Sequence, residues 1–160
     1  MMKKRLPFTK TQKLMEALSL LLLIGSIIYL MFQWPNLPER LITHYNSMGQ
    51  PDNWGGKVSI LFIPIMSIFL YLMLTGCLFL PQDMMNTPVA VTKENEDRIL
   101  KLSRDLISIE KLVMLCDFSY ITFCTMNEKA LSPYFLPVFL ASTFIPIIVI
   151  IVKMVKCKSS

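Results

Sequence analysis

Apolar residues along the chain are gathered into four long runs, separated by shorter polar stretches. The runs are Leu14–Trp34, Val58–Leu80, Leu106–Met126 and Tyr134–Val152. Each is close to the roughly 20 residues that a helix needs to cross the hydrocarbon core of a bilayer. None alternates apolar and polar positions with the period of a membrane β-barrel strand. The pattern therefore predicts an all-α integral membrane protein with four transmembrane helices.

The third run differs from the others because Glu110, Lys111 and Asp117 interrupt it. The preceding residues 93–105 mix both signs of charge, which favours a charged helix that continues into the bilayer. Glu110 and Lys111 would then lie near the membrane boundary, where water solvates them. Asp117 would lie about 20 Å beyond Arg104, at 1.5 Å per helical residue, and is the intramembrane carboxylate of this prediction.

The composition supports the membrane class and the charges predict an orientation. Apolar residues make up 54% of the chain and charged residues 17%, against about 25% charged in soluble domains. Most Lys and Arg residues lie in residues 1–13, 81–105 and 153–160. By the positive-inside rule both termini are predicted to be cytoplasmic, with residues 35–57 and 127–133 outside. The net charge of +5 thus reflects topology, and no nucleic-acid partner is expected.

These boundaries divide the chain into five predicted parts. They are a cytoplasmic basic tail (1–13), a two-span unit (14–80) with its outer loop (35–57), a cytoplasmic loop and charged helix (81–105), the third and fourth spans (106–152), and a second cytoplasmic basic tail (153–160).

The outer loop, residues 35–57, is long for so small a protein and is rich in turn-forming residues. Leu41–Asn46 predicts a short extended strand, and residues 47–50 around Gly49 predict a turn. Residues 51–53 predict a second turn that returns the chain to Trp54. We therefore expect a compact, ordered cap between the first two spans.

The loop also carries a recognisable order of residues. It contains Leu37-Pro38-Glu39-Arg40, Thr43-His44-Tyr45-Asn46, Gly49, Pro51-Asp52, Trp54 and Lys57. This order, between two spans, resembles the bacterial membrane family of unknown function called DUF1648, over roughly residues 15–80. Ile42 stands where that family favours proline. The same element begins the SdpI-type immunity proteins, which protect producing bacilli from their own secreted killing peptide and take part in signalling its presence.

The resemblance implies a multi-pass protein of the bacterial cell membrane with an immunity or sensing role and no enzymatic activity. Its outer loop would recognise an extracellular toxic or signalling peptide, and residues 93–105 would meet a cytoplasmic regulator or a membrane partner. No cofactor is expected. The candidate ligand-binding residues are His44, Tyr45, Asn46, Asp52, Trp54 and Lys57.

Each of these candidates also has a structural interpretation. His44, Asn46 and Asp52 are residue types that hold turns by bonding to nearby backbone. Tyr45 and Trp54 are residue types that anchor chains at the membrane interface. Lys57 would then reach lipid headgroups or pair with Asp52.

Two other classes of function remain open. A small transporter or an accessory subunit of a membrane complex would use Asp117, with Ser67 or Tyr71 as partners and Glu110 on the same helical face. A metal-dependent hydrolase would use His44, but catalytic metal sites generally have about three protein ligands. Because His44 is the only histidine, we expect no metal site.

Overall fold

The computed structural model describes residues 6–81 and 84–157. It contains four α-helices and a two-stranded antiparallel sheet. In chain order the elements are α1 (Lys10–Gln33), β1 (Arg40–Tyr45), β2 (Pro51–Gly56), α2 (Phe62–Cys77), α3 (Glu96–Met126) and α4 (Phe135–Lys156). Short 3₁₀ turns, Trp34–Asn36 and Lys57–Leu61, join the sheet to α1 and α2.

Local sequence fixes both ends of α1. Thr9 and Gln12 form a reciprocal capping box, in which each side chain bonds the backbone of the other residue. Such a box satisfies backbone groups that the first helical turn leaves unpaired. At the other end Pro35 lies in the 3₁₀ turn, where its missing N–H costs no helical hydrogen bond.

Three helical segments are long and apolar enough to cross a membrane: Lys10–Asn36, Lys57–Cys77 and Phe135–Lys156. They correspond to the first, second and fourth apolar runs. Their surfaces expose many large apolar side chains, as lipid-facing helices do. The protein is therefore a membrane-embedded helical protein with three candidate spans, and the predicted third span, within α3, is not among them.

The helix α3 is the central element of the bundle, since it packs against α1, α2 and α4. It is one continuous helix of 31 residues, as the charged start of the third run predicts. Most of its ten buried residues are polar or charged: Ser103, Arg104, Ser108, Lys111, Thr122 and Thr125. Lipid cannot solvate such groups, so the three apolar helices enclose them.

Two of the three prolines within the apolar runs cost their helices no hydrogen bond. Pro64 and Pro137 both lie in the first turn of their helices, where no intrahelical hydrogen bond is lost. Pro146 is the proline that lies in the interior of α4, beyond its first turn. Its ring removes the bond that the Ser142 carbonyl would otherwise accept.

The outer loop is the ordered cap that the sequence predicts, but its form corrects two predictions. Because the loop folds as a β-hairpin, the chain is not wholly α-helical. The predicted turn at residues 51–53 is wrong, since these residues belong to β2. The ladder hydrogen bonds of the hairpin satisfy the backbone here, which composition alone does not reveal.

A hydrophobic cluster fixes the hairpin to the helices. It consists of Leu30, Leu37, Leu41, Ile60 and Met126, all at most 7% exposed. These residues come from α1, the loop, β1, the second 3₁₀ turn and the end of α3. The hairpin is thus part of the folded bundle. At the opposite end, Cys157 packs with Ile99, so both ends of the described chain lie on the same side.

Candidate functional site: the outer hairpin and its groove

Two irregularities in the hairpin determine where His44 lies. The register pairs Ile42 with Trp54 and His44 with Asn53, which leaves Thr43 without a direct partner. A second shift before Tyr45 leaves Asp52 without one. Bulges of this kind twist a strand and turn side chains in new directions. Here they bring the carboxylate of Asp52 beside the imidazole of His44.

His44 and Asp52 form a solvent-exposed pair. His44 Nδ1 lies 2.6 Å from Asp52 Oδ1, and the two side chains are 66% and 41% exposed. A carboxylate at Nδ1 holds the proton on that nitrogen, which makes Nε2 the acceptor of the neutral ring. The pair therefore presents an oriented imidazole to the outer surface. Lys57, one predicted partner of Asp52, lies elsewhere.

Asn46 has the structural role that its residue type predicts. Its side-chain oxygen accepts hydrogen bonds from the backbone N–H groups of Met48 and Gln50, at 2.9 and 3.0 Å. Gly49 completes the turn with φ +76°, a conformation that glycine adopts without strain. The Gly49 carbonyl accepts a 2.8 Å bond from the N–H of Leu131. The hairpin turn is thereby joined to the second outer loop.

Tyr45 holds the hairpin to the helical bundle and is not a free interfacial anchor. Its hydroxyl lies 3.2 Å from Thr125 Oγ1 and donates to the Lys129 carbonyl at 3.2 Å. Burial raises the pKa of the Tyr45 phenol above its ordinary value, and the bond with Thr125 opposes that shift. The residue therefore serves the placement of the cap, with its ring in the wall of a groove described below.

Trp54 and Lys57 are separated from the His44–Asp52 pair. The Lys57 ammonium lies 5.2 Å from the centre of the Trp34 ring, a cation–π contact. The Trp54 side chain is 46% exposed, and its carbonyl accepts a 3.4 Å bond from Arg40. Of the six predicted ligand-binding residues, the structure thus pairs His44 with Asp52 and places Tyr45 beside His44 in the groove described below. Asn46, Trp54 and Lys57 have other neighbours.

A groove of about 450 Å³ lies beside β1, at the end of the bundle where the hairpin sits. We call it the outer groove. Its walls come from β1, the second 3₁₀ turn, the start of α2, the end of α3 and the second outer loop with the start of α4. Residues that line it include Ile42, Thr43, His44, Tyr45, Ser59, Phe62, Ile121, Thr125, Leu131 and Phe135. The groove is mainly apolar with polar groups on one side, a composition typical of ligand sites.

The outer groove lies beside β1. Four consecutive residues, 42–45, line it, because the two bulges interrupt the alternation of side chains along the strand. β2 pairs with one edge of β1, and within the described residues the sheet has no third strand. The other edge of β1 therefore has no strand partner in this part of the chain.

Metal binding gains no support from the geometry. Over residues 6–81 and 84–157, no group of three His, Cys, Asp or Glu side chains is placed to hold a metal ion.

Glu110 and Asp117 lie on the side of α3 that faces α4. They fall between Leu106, which packs in the cluster with Met154, and Tyr120, whose ring centre lies 5.5 Å from that of Phe135. Each has a buried carboxylate oxygen with no hydrogen-bond partner among the described atoms. Glu110 is thus less solvated than its predicted boundary position implies.

Neither predicted partner of Asp117 is placed to satisfy it. Ser67 donates to the Ile63 carbonyl at 2.9 Å. The Lys111 ammonium lies over the Tyr71 ring, 4.8 Å from the centre of that ring.

A buried ion pair, which the sequence analysis did not identify, joins three helices. Lys111 on α3 is fully buried and pairs with Glu16 on α1, which corrects its predicted position in water. Thr75 on α2 accepts a further 2.9 Å bond from Lys111, and Ser108 donates to Glu16 at 3.1 Å. The sequence signal for this pair is that Glu16 and Lys111, of opposite charge, each lie near the start of an apolar run.

Comparison with known proteins supports the resemblance in part. Residues 21–68 match the family described as Domain of unknown function (DUF1648). The matched segment contains most of α1, the whole hairpin and the first part of α2. No curated protein and no solved structure gives a significant match to the chain.

Proposed function

We propose that this protein recognises an extracellular peptide at the outer groove, in an immunity or sensing role at the bacterial cell membrane. The single observation that carries the proposal is a groove lined by β1, a strand with one edge that has no strand partner among the described residues. An extended peptide adds to such an edge through backbone hydrogen bonds and places alternate side chains in neighbouring pockets. The resemblance to the SdpI-type proteins supports a peptide as the ligand.

The groove offers contacts for both parts of such a peptide. Apolar residues such as Phe62 and Phe135 line it, and they would bury the side chains of a membrane-active peptide. His44 stands at its polar side with Nε2 directed by the bond to Asp52. That nitrogen would accept a hydrogen bond from a peptide N–H, which favours an extended ligand over a purely apolar one.

Cell survival under peptide challenge tests the proposal. A host strain and a strain lacking the protein are exposed to membrane-active peptides and to supernatants of neighbouring strains, and survival and membrane potential are measured. The deletion strain is complemented with wild type, with His44→Ala plus Asp52→Ala, or with Thr43→Pro, which removes a backbone donor from β1. We expect rescue by wild type and loss of rescue with both groove variants.

Met48→Ala is the matched control, because this residue is 63% exposed on the hairpin turn and does not line the groove. It should rescue as well as wild type does. Equal survival of every strain, the deletion strain included, would contradict the immunity role. Full rescue by the groove variants would contradict the groove as the binding site.

A second candidate function, transport or support of a membrane transport complex, draws on Asp117 and Glu110. Their buried carboxylate oxygens without hydrogen-bond partners are the observation that favours it. Such groups inside a membrane protein commonly serve ion pathways. In the same assay, loss of rescue with Asp117→Asn alone, while the groove variants rescue, would favour transport over peptide recognition.

A further inference from the structure

A second cavity lies at the opposite end of the bundle, on the side of the two chain termini. It has a volume of about 380 Å³ and lies between the start of α1 and the start of α3. We call it the terminal pocket. The residues that bear on its chemistry are Thr9, Gln12, Asp97, Arg98, Lys101 and Arg104. Three cations thus face one carboxylate.

Arg104 is the unusual member of this set, because it is a buried cation with no anionic partner in residues 6–81 and 84–157. The side chain is 7% exposed. Its contacts within the described residues are the carbonyls of Leu6 and Leu78, at 2.9 and 3.2 Å, and the ring of Phe8, at 4.7 Å. Buried charges are normally paired, since removing an ion from water is costly. No carboxylate among the described residues therefore pairs with this positive charge.

Asp97 lines the pocket, but the contacts of Arg104 with the described residues include no ion pair with it. Asp105 accepts a 2.6 Å bond from the Gln12 amide, on the α1 side. Lys101 and Arg98 stand about one and two turns before Arg104 on α3 and are exposed. All three residues line the pocket, which therefore gathers three cationic groups.

The surroundings of the pocket distinguish a lipid from a soluble anion. Phe8, which stacks on Arg104, packs against Phe79 with ring centres 5.7 Å apart, and Phe79 is 62% exposed. Leu14, one turn beyond the start of α1, is 59% exposed. The exposed ring of Phe79 is thus linked to Arg104 through Phe8. Acyl chains of a lipid whose headgroup sits in the pocket would find apolar contacts there.

We infer that the terminal pocket binds the phosphate headgroup of an anionic phospholipid, with Arg98, Lys101 and Arg104 as its ligands. Nε and Nη1 of Arg104 already donate to carbonyls, so Nη2 is the guanidinium nitrogen that would donate to a phosphate oxygen. Basic pockets between membrane helices bind acidic headgroups by this chemistry. The bound lipid supplies the anion that Arg104 lacks.

Thermal unfolding of the full chain in detergent tests the inference. Phosphatidylglycerol, phosphatidylcholine or glycerol 3-phosphate is titrated, and the apparent Kd is taken from the rise in melting temperature. We expect protection by phosphatidylglycerol alone. Arg98→Gln and Lys101→Gln should each weaken it about fivefold, and the double variant about 25-fold. These exposed residues are chosen because loss of the buried Arg104 threatens folding itself.

Lys13→Gln plus Lys93→Gln is the matched control, since it removes the same charge from exposed positions that do not line the pocket. It should leave the affinity for phosphatidylglycerol within about twofold of wild type. An equal loss in both double variants would overturn the site in favour of general surface attraction. Equal protection by phosphatidylcholine, or by glycerol 3-phosphate, would overturn an anionic lipid as the ligand.

Discussion

Breaking the Glu16–Lys111 ion pair should destabilise the bundle more than any other single change in a polar contact. In Lys111→Met the apolar stem is kept, but Glu16 loses its cation. Removing one partner of a buried ion pair costs about 3–5 kcal/mol, because the other charge remains without compensation. The Glu16 side chain is 24% exposed, so water relieves part of that cost. We therefore expect a loss of about 3 kcal/mol in the free energy of unfolding.

Substitution of the other partner, Glu16→Leu, should lower the free energy of unfolding further, by about 4–5 kcal/mol. Lys111 has an exposed fraction of 0%, so no water replaces the lost carboxylate. Thr75 and the Tyr71 ring remain beside it, but neither carries a negative charge. The structure thus predicts an order for the two single variants as well as a size.

The double variant Glu16→Leu plus Lys111→Met separates pairing from packing. When both charges are replaced by apolar groups of similar volume, the desolvation cost disappears with the attraction. Its stability should lie within about 1 kcal/mol of wild type, so the coupling energy should nearly equal the sum of the two single effects, about 7–8 kcal/mol.

Unfolding in detergent micelles, followed by circular dichroism during denaturant titration and heating, measures these effects. A loss of about 3 kcal/mol lowers the melting temperature by roughly 6–12 °C for a chain of this size. Lys13→Met, at an exposed position of α1, is the control and should change the stability by less than about 0.5 kcal/mol. Additive single effects in the double variant would refute the reasoning, as would a Lys111→Met protein as stable as wild type.

Three further predictions concern the attachment of the hairpin. Gly49→Ala should destabilise the protein by roughly 1–3 kcal/mol, because φ is positive and a Cβ would lie 2.7 Å from the Leu131 carbonyl oxygen. The measurement is hydrogen exchange of the Leu131 amide, which should become faster, and unchanged exchange would contradict the prediction. Tyr45→Phe should cost about 1 kcal/mol in thermal unfolding through its lost hydroxyl contacts, and no loss of stability would count against them. Because burial raises the pKa of Tyr45, the stability that this residue contributes is complete below about pH 10 and is lost as pH rises through the folded-state pKa. The Tyr45→Phe protein should therefore lack that part of the loss of stability at alkaline pH. Identical curves of stability against alkaline pH for the two proteins would contradict the assignment.

The sequence predicts the helices well because their signal is local. Continuous apolar runs mark α1, α2 and α4, and the mixed charges before the third run predict the long, polar start of α3. Turn chemistry likewise predicts the role of Asn46 and the bend at Gly49. In each case the residues that determine the structure are close neighbours along the chain.

The predictions that failed depend on partners far apart in the sequence. Lys111 is predicted to be solvated because Glu16, which is 95 residues away, is brought to it only by the packing of α1 against α3. Tyr45 resembles an interfacial anchor until Thr125, 80 residues away, is placed beside it. The His44–Asp52 pair depends on two strand bulges, which residue types do not specify.

The helices differ in whether they contact lipid or one another. This difference explains why the contacts of α3 are the hardest to predict from the sequence and the most informative about the fold. The apolar helices α1, α2 and α4 meet lipid on much of their surface, where one large apolar residue replaces another with little effect on packing. The polar groups of α3 bond to particular atoms on its neighbours, and such bonds fix one arrangement against others. At its two ends α3 contributes Thr125 to the outer groove and Arg104 to the terminal pocket. Apolar substitutions on lipid-facing positions should therefore preserve the fold and both sites, whereas substitutions on the enclosed side of α3 should disturb both together.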